Sequence, residues 1–185
     1  MSNILYFAYG SNMLTTRLQR WCKTAEYKSL AMIKGHRVAF YKKSVDSSGK
    51  ATLVTCDSKV PVLGAVFEIS ISEIDELDAA EGAGYERQDE FPVICLQTGE
   101  LVQACTYVAL ENVSDLRPFD WYLALVLAGL HSHDMDREYI QAIESTDFTV
   151  DTSQHRKSRV DAIRDLQAAG YSDYSVILRN SAKAE

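Results

Sequence analysis

Across its 185 residues the chain is poor in the features that announce the simplest functional classes. It has four cysteines, Cys22, Cys56, Cys95 and Cys105, widely spaced and without a CxxC pair, which excludes a zinc ribbon, a thioredoxin-type redox motif and a disulfide-stapled miniprotein. Three prolines mark no interdomain linker, and no repeat or low-complexity tract is present. Basic charge is in deficit, with 19 Lys+Arg against 26 Asp+Glu and a net −7, so the electrostatic footprint of a nucleic-acid binder is missing. No polybasic run offers itself to an anionic membrane. Long hydrophobic runs are lacking too: MSNILYFAYG has no basic leader before its short apolar stretch, and Trp121 to Leu130 is about half of a membrane span. Neither GxGxxG, GK[ST] nor GxSxG occurs, which removes the usual nucleotide loops and the nucleophile elbow. These absences leave an acidic, soluble, cytoplasmic protein, monomer or homodimer, whose partners are small molecules rather than nucleic acid or membrane.

What is present is enough for one core, since 46% of the residues are hydrophobic. Ile4 to Tyr9 is a continuous apolar and aromatic run stopped by Gly10, as expected of a strand buried on both faces. Further strands are expected at Val38 to Tyr41, Ala51 to Cys56, Val62 to Ile69, Phe91 to Leu96 and Leu101 to Ala109. Turn clusters such as Asp46-Ser47-Ser48-Gly49 and Gln97-Thr98-Gly99-Glu100 separate them. Helices are expected at Met13 to Arg20, Ser72 to Ala80, Pro118 to Leu130, Arg137 to Ile143 and Ser158 to Ala169. Ser70 with Glu73, and Ser72 with Asp75, have the spacing of capping boxes. The sum is an α+β domain with a C-terminal appendix.

Three places could carry chemistry. Tyr9-Gly10-Ser11-Asn12 closes a buried strand and leads into a helix, where consecutive backbone amides and a helix start form a cradle for a carboxylate or phosphate. The same residues also read as an ordinary strand-to-helix turn capped by Ser11 or Asn12. Glu81 ends a helix just before Gly82-Ala83-Gly84, where the negative end of the helix dipole should raise its pKa; a plain surface acid, like its neighbours Asp75, Glu76 and Asp78, is the other reading. His131-Ser132-His133-Asp134 places two histidines two residues apart, but a third metal ligand at a recognisable distance is missing, so a polar loop is the expectation.

Leu5-Tyr6-Phe7-Ala8-Tyr9-Gly10-Ser11-Asn12-Met13, together with Leu77-Asp78-Ala79-Ala80-Glu81-Gly82, resembles the two signature stretches of the gamma-glutamyl cyclotransferase family. Gly64 to Ile69, Tyr122 and the segment Ala142-Ile143-Glu144 extend the likeness over residues 4 to 150. The resemblance implies a small mixed β-barrel with flanking helices over residues 1–150, and leaves residues 151–185, with one amphipathic helix, as an extension of unknown role. It implies release of 5-oxoproline from a gamma-glutamyl compound without metal or cofactor. In it Glu81 takes the place of the catalytic acid/base, and Gly10, Ser11 and Asn12 form the cradle, with Tyr9 as a wall and Met13 and Leu14 extending it. Tyr122 matches a substrate-holding tyrosine, and Tyr85 joins the pocket by its closeness to Glu81. A member of the same fold that binds a small ligand or a protein without turnover is the alternative. The leaving group is left open among amino acids, amines, glutathione and carriers.

Overall fold

The computed structural model describes residues 2–179. The first strand, β1 (Asn3–Ala8), runs antiparallel to β5 (Val62–Ser70), with Phe7 opposite Val66 and Ile4 opposite Ile69. β5 also pairs with β2 (Glu26–Ile33), β2 with β6 (Tyr85–Cys95), and β6 with β7 (Leu101–Ala109). A parallel pairing of β7 with β1, at Tyr6 and Cys105, closes a five-stranded barrel in the order β1-β5-β2-β6-β7. β3 (His36–Lys43) and β4 (Gly49–Thr55) form a separate two-stranded hairpin. Closure leaves the barrel no free edge, which suits a strand as apolar as β1. The α+β class and the mixed barrel with flanking helices are those expected.

β2 is absent from the strands expected from the sequence, and β6 starts at Tyr85 rather than Phe91. β2 begins with Glu26-Tyr27-Lys28, all exposed, and β6 begins with Tyr85-Glu86-Arg87-Gln88-Asp89-Glu90, which is largely solvent-facing, so hydrophobic patterning marks neither start. Glu26 lies directly opposite Glu68, a like-charge pair disfavoured in a ladder, and Lys28 Nζ sits 3.1 Å from Glu26 and 3.5 Å from Glu68 to offset it.

The helices are α1 (Thr15–Leu18), α2 (Ile74–Glu81), α3 (Asp120–Ser132), α4 (Arg137–Glu144), α5 (Lys157–Ala168) and α6 (Ser175–Arg179), with 3-10 turns at Ser11–Met13 and Ile71–Glu73. Neither expected capping box forms. Ser70 Oγ accepts a bond from Ser72 N, while the Glu73 carboxylate accepts from Thr24 N and, at 2.5 Å, from Thr24 Oγ1, tying the start of α2 to the segment before β2. α3 is buried from Asp120 to Leu130 and forms the central pillar of the core. A Cβ on Gly129 would stand 2.7 Å from Met13 Cβ and 2.9 Å from Leu14 N, so the missing side chain is what lets α3 seat the Ser11–Met13 turn. Gly129→Ala should therefore cost about 1–3 kcal/mol by overpacking. Denaturant unfolding checks this, and unchanged stability would refute the close seating.

Within residues 151–179, side chains of α5 and α6 enter the same core. Ala162, Leu166 and Ile177 are buried in it. Asp151 accepts a bond from Trp121 Nε1 at 3.0 Å and pairs with Arg156, and Tyr174 donates to Asp120 at 2.9 Å. α6 carries a second helix that the sequence reading omitted.

Candidate active site

Glu81 is the last residue of α2, and Gly82, at φ +77°, ends the helix there with its N–H on Asp78 O. That left-handed conformation favours glycine, and it fixes where the Glu81 side chain leaves the helix. Asn12 Nδ2 donates to Glu81 Oε1 at 2.7 Å and lies 3.2 Å from the Tyr6 hydroxyl. The β1-to-α1 turn and the end of α2, remote in sequence, thus meet at one side-chain contact.

Burial pushes the Glu81 carboxyl up to about 7, against the opposing pull of Arg17, Lys42 and the Asn12 amide. The direction is the one expected from the sequence. Its leading cause is loss of water around the carboxyl.

An inner chamber is lined by Gly10, Ser11, Asn12, Ala51, Glu81 and five tyrosines. Each ring is held by its hydroxyl. Tyr9 donates to Tyr107 O at 2.5 Å, Tyr107 to Asp78 at 2.6 Å, and Tyr85 to Ala51 O at 2.7 Å, while Tyr122 accepts from Ala51 N at 3.1 Å. Burial raises the pKa of all five, so they remain neutral and can only donate or accept hydrogen bonds near neutral pH. The first in-turn amide bond is Met13 N to Gly10 O, so the Ser11 and Asn12 amides have no acceptor within their own turn. Gly10 has φ −122°, open to any residue; its role is space, because a Cβ would lie 3.1 Å from Ala51 Cβ.

Of the residues expected here, Glu81, Tyr9, Gly10, Ser11, Asn12, Tyr85 and Tyr122 line this chamber. Met13 and Leu14 do not extend it: both side chains are buried beneath the turn, Met13 against Gly129 of α3. Tyr6 and Tyr107 were not foreseen. They are brought together by the parallel β1–β7 seam, with ring centroids 5.9 Å apart, and no local motif marks a long-range pairing.

Glu81 also lines an outer chamber together with Arg17, Trp21, Lys42, Lys50 and Ser158. Arg17 Nε donates to Ser11 Oγ at 3.1 Å. Lys42 Nζ lies 4.9 Å from the centre of the Tyr85 ring, and Lys50 Nζ lies 4.5 Å from that of Trp121. Burial pulls the Lys50 amine down to about 8.

The histidine segment stands apart from both chambers. His133 stacks on Tyr27 with centroids 4.4 Å apart and bonds Met13 O through Nε2 at 2.8 Å, and His131 lies 3.8 Å from Glu144. Among the described residues no group of three or more His, Cys, Asp or Glu could hold a metal ion, and no helix is long and apolar enough to cross a membrane. The four thiols are free, with Cys22, Cys95 and Cys105 buried.

Comparison with known proteins bears on this site. The family model for "Gamma-glutamyl cyclotransferase, AIG2-like" matches residues 6–123, which include both Asn12 and Glu81. A human gamma-glutamylcyclotransferase is 26% identical over 161 residues, covering 82% of this chain and 85% of its own length. The bovine gamma-glutamylcyclotransferase is 26% identical over 155 residues, covering 79% and 81%. A solved structure of a gamma-glutamyl cyclotransferase superposes with a TM-score of 0.78 at 23% identity, over 88% of this chain and 99% of that one. The chain belongs to the gamma-glutamyl cyclotransferase, AIG2-like family.

Proposed function

We propose that the protein releases 5-oxoproline from a gamma-glutamyl compound, with Glu81 carrying the proton. The substrate brings its own nucleophile, the alpha-amine, so the protein needs no Ser or Cys at the reacting carbon. The Glu81 carboxylate takes a proton from the alpha-ammonium. The freed amine then attacks the gamma-carbonyl carbon, closing a five-membered ring and placing charge on the carbonyl oxygen. As the bond to the leaving amine breaks, protonated Glu81 gives its proton to the departing nitrogen; the regenerated carboxylate then takes the second proton from the ring nitrogen and passes it to the freed amine, giving 5-oxoproline and the leaving group as an ammonium. Holding a folded near-attack geometry supplies much of the rate, and general acid/base catalysis adds about 10²–10⁴-fold.

The observation that carries this reading is the enclosed Glu81, poised near 7 and fixed by Asn12 beside the Ser11 turn. A carboxyl at that value is substantially present in both forms at neutral pH, as one group serving both proton transfers requires. The Ser11 and Asn12 amides are suited to a substrate carboxylate or a developing oxyanion. Release of 5-oxoproline from a panel of gamma-glutamyl compounds tests the reaction; absence of release from every member would overturn it.

The outer chamber supports a leaving group that carries a carboxylate. Glu81 is the acid among its lining residues, beside Arg17, Lys42 and Lys50. Gamma-glutamyl-alanine should be turned over with a kcat/KM about five- to tenfold above that of gamma-glutamyl-alaninamide, the gain of one partly solvated charge contact. The preference should shrink in high salt and in Lys42→Gln. Equal kcat/KM for the acid and the amide would refute it.

A further inference from the structure

We propose that Asp165, on α5 beyond the residues 6–123 that the family model matches, is a positioning residue that holds Arg17 against Ser11 at the cavity mouth, so that the C-terminal helix completes the site.

The chain of contacts is short. Asp165 is 4% exposed, and its carboxylate faces two guanidiniums, Arg17 at 3.5 Å and Arg20 at 3.2 Å. Its carbonyl accepts from Thr16 Oγ1 at 3.1 Å, a second tie between α5 and α1 next to Arg17. Arg17 reaches the other way: Nε donates to Ser11 Oγ, its guanidinium lies 5.1 Å from the centre of the Trp21 ring, and its side chain lines the outer chamber with Glu81. Arg20 has a second carboxylate, Asp161, at 3.2 Å, so it keeps a partner without Asp165. Arg17 does not share that arrangement. An acid buried this deeply is costly to hold by its charge alone, and burial outweighs both guanidiniums in raising its pKa. Its placement makes sense as a device that fixes one arginine in one position.

The charged groups facing Glu81 are Arg17 from α1, Lys42 from β3 and Asp78 from α2; the five tyrosines around it stay neutral. Those facing Asp165 are Arg17, Arg20 and Asp161. Two effects of Asp165→Asn on Glu81 therefore have opposite signs. Removing a negative charge acts through space to lower the Glu81 pKa. Releasing Arg17 removes a nearby positive charge and raises it.

This inference rests on Glu81 being the proton carrier proposed above, and its test does not need turnover. The Glu81 carboxyl can be followed by carbon-13 NMR against pH in the wild type, Arg17→Met, Asp165→Asn, Asp165→Glu and the double variant Arg17→Met/Asp165→Asn. Both Arg17→Met and Asp165→Asn should move the Glu81 midpoint upward, by about 0.5 pH or more. Asp165→Glu should restore it in part, and Asp165→Asn should add no upward movement once Arg17 is Met, as coupling through one residue requires. KM for gamma-glutamyl-alanine should rise in the same variants with the same lack of additivity. A midpoint that stays or falls in Asp165→Asn, whatever its thermal stability, would overturn the positioning role. A wild type that releases no 5-oxoproline would overturn the proposed reaction instead, and the NMR midpoints would still decide on Asp165.

Discussion

Glu81→Gln should abolish 5-oxoproline release while making the folded protein more stable. The first half follows from chemistry: glutamine cannot take the proton from the alpha-ammonium or return it to the leaving amine, so the loss should reach about 10²–10⁴-fold, the usual worth of general acid/base catalysis. The second half follows from linkage. The Glu81 carboxyl is raised from 4.5 to about 7 in the fold. Between those values the native state binds more protons than the unfolded chain, so stability falls as pH rises through the window and the full cost is present above it. That shift corresponds to at most about 3 kcal/mol at pH 8. Glutamine carries no charge to desolvate, keeps the contact with Asn12 through its carbonyl oxygen, and should recover part of that energy. Below about pH 4 the two proteins should have equal stability, because Glu81 is then protonated in both the native and the unfolded states. Thermal melts of both across pH 4–8 check the second half, and assays of 5-oxoproline the first. Full activity in the variant would remove Glu81 from the mechanism, and a lower melting temperature at pH 8 would show that the ionised carboxylate is not under strain.

That trade between stability and activity also explains why Glu81 was legible in the sequence. An acid at the C-terminal end of a helix, just before a glycine at positive φ, breaks a local rule, and among the described residues no cation pairs it directly: its hydrogen-bond partner is a neutral amide. The strand ending at Tyr9-Gly10 was equally visible, because β1 is buried toward its end. What the sequence hid is whatever depends on distant pairing. Tyr6 and Tyr107 join the site through the parallel seam that closes the barrel, and Lys42 and Lys50 arrive on a hairpin that stands outside it. Met13 and Leu14 belong to the turn by sequence and to the core by packing, since Gly129 draws α3 against them. The segment after 150 looks separable in the sequence because the resemblance stops at residue 150. The structure buries Ala162 and Leu166 of α5 in the common core, leaves Val160 exposed, and aims Asp165 at Arg17.

Asn12→Ala should lower activity nearly as far as the loss of Glu81, by about 10²-fold, and should shift the pH dependence as well. Asn12 is 7% exposed, and its amide bridges Glu81 Oε1 and the Tyr6 hydroxyl. Among the described residues Asn12 is the direct donor to the carboxylate, and alanine removes it from an enclosed site. A hydrogen bond to the charged form favours that form, so its loss should raise the Glu81 pKa above about 7. The limb of kcat/KM that rises as Glu81 deprotonates should therefore move to higher pH, and activity at pH 6 should suffer more than activity at pH 8. Arg17→Met should move the same limb in the same direction, because Arg17 also favours the ionised carboxyl. The two variants differ in what remains at high pH. With Arg17 gone, Asn12 still orients the carboxylate, and raising the pH should recover much of kcat. With Asn12 gone, the carboxylate is free to rotate in the chamber, and a thousandfold more hydroxide cannot restore its aim, so kcat should stay low at every pH. Profiles of kcat and kcat/KM for wild type, Asn12→Ala and Arg17→Met measure this. An Asn12→Ala profile that merely shifts and regains wild-type kcat at high pH would reduce Asn12 to an electrostatic neighbour of Glu81 and strip it of the orienting role.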